Sequence, residues 1–288
     1  MAVHFPTDHY VFACVLTAQK DASPKDSGLL RECQKRIPGF IASRELDQTL
    51  INLLRLEEKL GKKIDWVAAT EAQHKPGMIT DDGWHPKTLT YDSLIAYKKA
   101  LPNRSQRSCT EQLKIYAIFW HVFLHVMQDE DPVFMNIGFR WDEGSRVEDL
   151  RDRCDKVAFP YKCGVDAKSK RSKHVWRNLE WRVLGFPMYE AKISRMTVER
   201  YWLEQGWVFP QVSNCDGCFH HTPKELRIQN ELFPERMAWW AQQEANTGVK
   251  WKSSDSYDDL LNYVEPPDYQ GSLFDILDDK KSACFCGD

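Results

Sequence analysis

Cys215 and Cys218, in the stretch NCDGCF, are the strongest chemical signal in this chain. A C-x-x-C spacing lets two thiolates converge on one metal or cluster, and Gly217 permits the tight turn between them. A closed site needs two more ligands, and Cys109, Cys284 and Cys286 are the candidates. Cys109 falls at the predicted first position of a helix, where the positive end of the dipole favours thiolate. Cys14, Cys33, Cys154 and Cys163 have no partner spacing and read as ordinary core or surface thiols.

Other residue groups carry weaker signals. GFRWDEGSR (138–146) follows a predicted strand and puts Arg140 and Arg146 at the carboxyl edge of a sheet, where open α/β folds bind ligands. Arginines there can hold phosphates through paired hydrogen bonds. His121 and His125 stand one helical turn apart without the carboxylate of a zinc-protease motif, and read as structural. His220 and His221 directly follow the cysteine pair. Lys162, Lys168, Lys170, Arg171, Lys173, Arg177 and Arg182 form a basic run over 162–182, a candidate contact for nucleic acid phosphates.

The elements that position these residues follow from periodicity. Tyr10–Thr17 reads as a buried strand, 38–43 as a second strand and 63–70 as a third. Between them lie a short helix at 29–36 and a longer one from Glu45 to Leu60, stopped by Gly61. This alternation predicts an α/β fold with a parallel sheet flanked by helices. A helix capped by Ser108 and Glu111 runs on through Trp120 to Met127, and 132–139 is the next strand. Residues 160–182 read as an exposed loop leading into a helix. Helices then start at Ser194 and at Thr222–Pro223. The organisation expected is 1–160 as a nucleotide-binding-like α/β core, 161–182 as a basic loop, and 183–288 as a helical region with the metal-site cysteines.

Composition bounds the class. With 42% hydrophobic residues and eleven Trp, the 288-residue chain can bury a sizeable core. A net charge of −3 gives no global drive toward nucleic acid. No apolar run has the length of a membrane span, so no membrane partner is expected. The N-terminus lacks a basic n-region and a signal-peptide core, so a cytoplasmic location is expected. There, nine cysteines should be mostly reduced, which favours metal binding over disulfides.

Six stretches occur in a shared order: LPNRSQRSCTEQLKI (101–115), NIGFRWDEGSR (136–146), FPMYEAKISRMTVERYW (186–202), NCDGCF (214–219), PERMAWWAQQEANTG (234–248) and the closing CFCGD. Together they resemble the phosphoadenosine-phosphosulfate-reductase-like family of the adenine nucleotide α-hydrolase (PP-loop) superfamily, most closely its bacterial and phage members. The resemblance implies a Rossmann-like sheet with ATP or a related adenine nucleotide, with Mg, at its carboxyl edge. It places ASPKDS (22–27) at the family's SGGKDS loop and makes Lys25, Asp26 and Ser27 nucleotide ligands. Ser23 and Pro24 stand where that family has glycines, and Pro24 has no N–H to offer a phosphate. It further implies a four-iron four-sulfur cluster on Cys109, Cys215 and Cys218, with Cys286 or Cys284 fourth; structural zinc is the alternative. The E-C-G-x-H motif of true sulfonucleotide reductases is missing. The activity implied is sulfur insertion or adenylyl transfer. The alternative is a non-catalytic relative that works as a binding or assembly partner.

Overall fold

The computed structural model describes residues 7–70, 89–129, 131–151, 156–165, 172–208, 215–252 and 255–262, and only the backbone of 156–165 and 172–177. Cys284 and Cys286 lie outside the described residues, as do Cys154, Lys168, Lys170 and Arg171.

The chain is mixed α/β. Strand β1 (Val11–Ala13) leads to β2 (Leu16–Thr17), α1 (Ser27–Arg36), β3 (Ala42–Ser43), α2 (Asp47–Leu60) and β4 (Asp65–Val67). β1 pairs with β4 in parallel, whereas β2 pairs with β3 antiparallel. The expected single strand Tyr10–Thr17 is therefore two. After Cys14 donates to the Val67 carbonyl, the next N–H, on Val15, turns to the Glu45 carboxylate, at 3.2–3.3 Å. That bond ends the parallel ladder and sends the chain toward β3. α2 ends at Gly61 with φ +62°, the left-handed C-cap that glycine adopts at little cost.

Next come α3 (Tyr91–Lys98), a helical stretch over 108–125, β5 (Val133–Asn136) and α6 (Gly144–Arg151). The 108–125 stretch is not one uniform helix. Its N-cap is Arg107, not Ser108, and no side chain caps it. One α-turn, α4 (Ser108–Thr110), passes into a π-helix over Glu111–Ile115 and then α5 (Tyr116–His125). Cys109 is thus the second residue of the helix.

Residues 156–180 depart furthest from expectation. In place of a loop and a helix they form an antiparallel hairpin, β6 (Lys156–Val165) with β7 (Ser172–Glu180), bulged between Pro160 and Lys162. Val157, Phe159, Val165, Val175 and Trp176 supply the β-branched and aromatic character of a strand, which the interspersed charges conceal. β8 (Arg182–Gly185) then pairs in parallel with β5. The described strands thus form four two-stranded pairs, two of them parallel.

Among the described residues five helices follow: α7 (Pro187–Glu190), α8 (Arg195–Glu204), α9 (Pro223–Leu232), α10 (Pro234–Thr247) and α11 (Tyr257–Leu261). Their starts follow the sequence. Ser194 accepts from Thr197 N–H, and Thr222 with Glu225 forms a capping box ahead of Pro223. The largest core cluster joins Val15, Leu94, Leu101 and Leu113 to Cys215, Phe219, Met237, Trp240, Trp251 and Tyr257. The N- and C-terminal regions therefore share one core, and the cysteine loop is part of it. Among the described residues no helix is long and apolar enough to cross a membrane.

Candidate cysteine centre

Cys109, Cys215 and Cys218 line one cavity, together with Lys114, His220 and Tyr91. Val15, Thr110, Phe219 and Trp240 close its apolar walls. None of the three cysteines is in a disulfide. The enclosed space is about 20 Å³, room for about one water molecule.

The π-helix explains how Cys109 and Lys114 reach the same cavity. In a regular α-helix, residues i and i+5 stand about 140° apart around the axis. The wider π turn, with its i→i+5 bonds, brings them onto one side. Inserted π turns of this kind recur at functional sites.

The second wall is the CDGC loop, and the surrounding network fixes each of its residues. Asp216 is 1% exposed and its carboxylate accepts from Arg236 Nε at 2.7 Å, Arg44 Nη1 at 3.2 Å and Trp240 Nε1 at 3.2 Å. Its N–H donates to the Arg44 carbonyl. Arg236 also donates to the Ser43 and Glu45 carbonyls, and Arg44 to Thr17 Oγ1, so the loop is tied to the ends of β2 and β3. The Arg44 guanidinium lies 3.8 Å from the Trp239 ring centroid. Gly217 has φ +59°, and a Cβ there would stand 2.2 Å from Trp240 Nε1. Its N–H donates to Gln229 and its carbonyl accepts from the Tyr257 hydroxyl at 2.6 Å. Removing one partner from buried charges paired in this way is strongly destabilising.

The two histidines divide. His221 is buried within the loop's network: its N–H donates to the Cys218 carbonyl, and its Nε2 lies 3.2 Å from the Cys215 carbonyl. His220 faces the cavity, and its buried Nε2 has no hydrogen-bond partner among the described residues. Burial, then chiefly the positive charges of Arg107 and Arg104, push its pKa down to about 4. The sulfurs are sensed by Tyr91, whose hydroxyl is held well above its usual range by burial and then by Cys109 and Cys218.

None of Lys25, Asp26, Ser27, Arg140 and Arg146, the residues expected to hold a nucleotide, lines this cavity. Arg140 and Arg146 both grip buried Glu143, at 3.3 and 2.6 Å, and Arg146 lies 4.2 Å from the Phe139 ring centroid. Lys25, Asp26 and Ser27 are exposed, the first two on the loop before α1 and Ser27 as its first residue. There the Asp26 carboxylate accepts from Leu29 N–H at 2.7 Å, capping its own helix, and Asp47 accepts from Lys25 N–H at 3.1 Å. His121 pairs with Asp65 at 3.2 Å.

The donor chemistry around the cavity suits a thiolate-bound centre. Among the described residues no three His, Cys, Asp or Glu side chains are set to hold a single metal ion. Sequence reasoning missed Asp216 and its two arginines, although the residue lies inside the motif that it identified. No protein-family model, no curated protein and no solved structure matches this chain.

Proposed function

We propose that the chain carries a cysteine-bound iron–sulfur centre that works on an anionic substrate, an adenine nucleotide in the first instance. One observation carries the reading: Cys109 lines the same cavity as the distant Cys215–Cys218 pair. The fourth ligand is proposed to be Cys284 or Cys286. Bound there, such a centre supplies electron transfer or a labile sulfur. The chain's own part is to hold the thiols in a largely apolar wall beside Lys114 and His220. The fold of this reading is the adenine nucleotide α-hydrolase one, with the resemblance stated above as its support. The reaction class is adenine-nucleotide-dependent sulfur or adenylyl transfer.

Protein purified without oxygen tests this directly. Iron and acid-labile sulfide in comparable amounts are expected, with visible absorption that Cys109→Ser, Cys215→Ser or Cys218→Ser abolishes. Absence of iron and sulfide, or full retention in the triple variant, would overturn it.

One observation favours a narrower reading. The carboxylates already bonded to Leu29 and Lys25 N–H favour a binding or assembly role without nucleotide turnover. Calorimetric titration with ATP and Mg decides it, since no heat of binding is expected if the loop is closed to phosphate.

A further inference from the structure

We infer that the β6–β7 ribbon is a binding arm for duplex DNA. The chain as a whole is acidic, at net −3. The two strands of the ribbon nevertheless hold Lys156, Lys162, Lys173 and Arg177 against a single acid, Glu180. Glu180 pairs in register with Lys156 at the root of the hairpin. Beyond the root, the described strand positions carry cations and no acid.

Register groups these cations. Phe159 stands opposite Arg177, Lys162 opposite Val175, and Gly164 opposite Lys173. Directly opposed residues share a face, and alternate residues along a strand share it too. Lys162, Lys173 and Arg177 therefore fall on one face with Phe159 and Val175. Leu179, also on that face, anchors the root in the core beside Phe119 and Trp181. The ribbon is rooted at one end and charged along the rest.

Dimensions favour a duplex groove. Lys173 and Arg177 are four residues apart, a run of about 14 Å along a strand. The major groove of B-DNA is about 12 Å wide and admits a two-stranded ribbon, with phosphates on both walls. The corresponding groove of duplex RNA is too narrow for this. Three cations and no base-reading pattern predict binding through the backbone, with little sequence preference. The inference is independent of the metal centre.

Fluorescence anisotropy of the full chain with a labelled DNA duplex, over a range of salt, provides the test. Binding is expected to weaken as salt rises. Lys162→Glu/Lys173→Glu/Arg177→Glu should lower affinity by at least about tenfold and flatten the log–log salt slope by about 3, one unit per lost phosphate contact. The milder Lys162→Gln/Lys173→Gln/Arg177→Gln variant, checked for an unchanged circular dichroism spectrum, should flatten the slope equally. No binding by the wild-type chain overturns the inference, as does an unchanged slope in the glutamine variant. Binding to vesicles of acidic lipid without binding to duplex also overturns it, in favour of a membrane surface.

Discussion

The loops ASPKDS and CDGC each lead into a helix and each carry an aspartate, but they are built in opposite ways. Asp26 is exposed and bonds to an N–H three residues on. Asp216 is buried and bonds to Arg44, Arg236 and Trp240, which come from distant parts of the chain. The first aspartate serves its own helix. The second holds together β3, α10 and the wall of the cysteine cavity. The same residue type is a local cap in one place and a keystone of tertiary structure in the other.

Breaking the buried loop has the larger expected effect. Asp216→Ala leaves two buried arginines without their shared carboxylate and should cost about 3–5 kcal/mol, read by urea denaturation. On the proposed reading, the same variant should also lose the iron and sulfide of the centre. Gly217→Ala should cost about 1–3 kcal/mol, because the new methyl meets Trp240 and the left-handed backbone tolerates it poorly. Acid offers a third, smaller lever on this side. Burial opposes ionisation of Glu225, but the His221 ring 3.5 Å away and hydrogen bonds from Thr222 outweigh it and hold its pKa at about 2. Its contribution is therefore complete above pH 4.5 and is lost as pH falls toward 2. Glu225→Gln should flatten the stability–pH curve in that window. On the exposed loop, Asp26→Ala removes one N-cap and should cost about 1 kcal/mol, and on the proposed reading it leaves the centre's iron content unchanged. Equal losses from Asp26→Ala and Asp216→Ala would erase the contrast.

The contrast also explains what could be read from the sequence. Signals within a few residues survived: the Thr222–Glu225 capping box, the Ser194 cap and the Gly61 stop all appear as expected. Cys109 lines the same cavity as Cys215 and Cys218. The Asp216 network was illegible because no short-range pattern links residue 44 to 216 or to 236. The hairpin was missed because lysines and arginines interrupt its alternation of apolar residues. Glu45, read only as the start of a helix, instead ends β1 by drawing off the Val15 N–H.

The π-helix has a consequence for editing the gene. A π turn holds one residue more than the α turn it replaces, so it behaves as a single-codon insertion that the helix has absorbed. Deleting one residue within 111–115 would restore ordinary α-helical phase. Ser108 and Cys109 would then rotate by about 100° against the following helix, while the apolar face of Tyr116–His125 kept its seat. Such a deletion would separate folding from site assembly more cleanly than any substitution at the cysteines themselves.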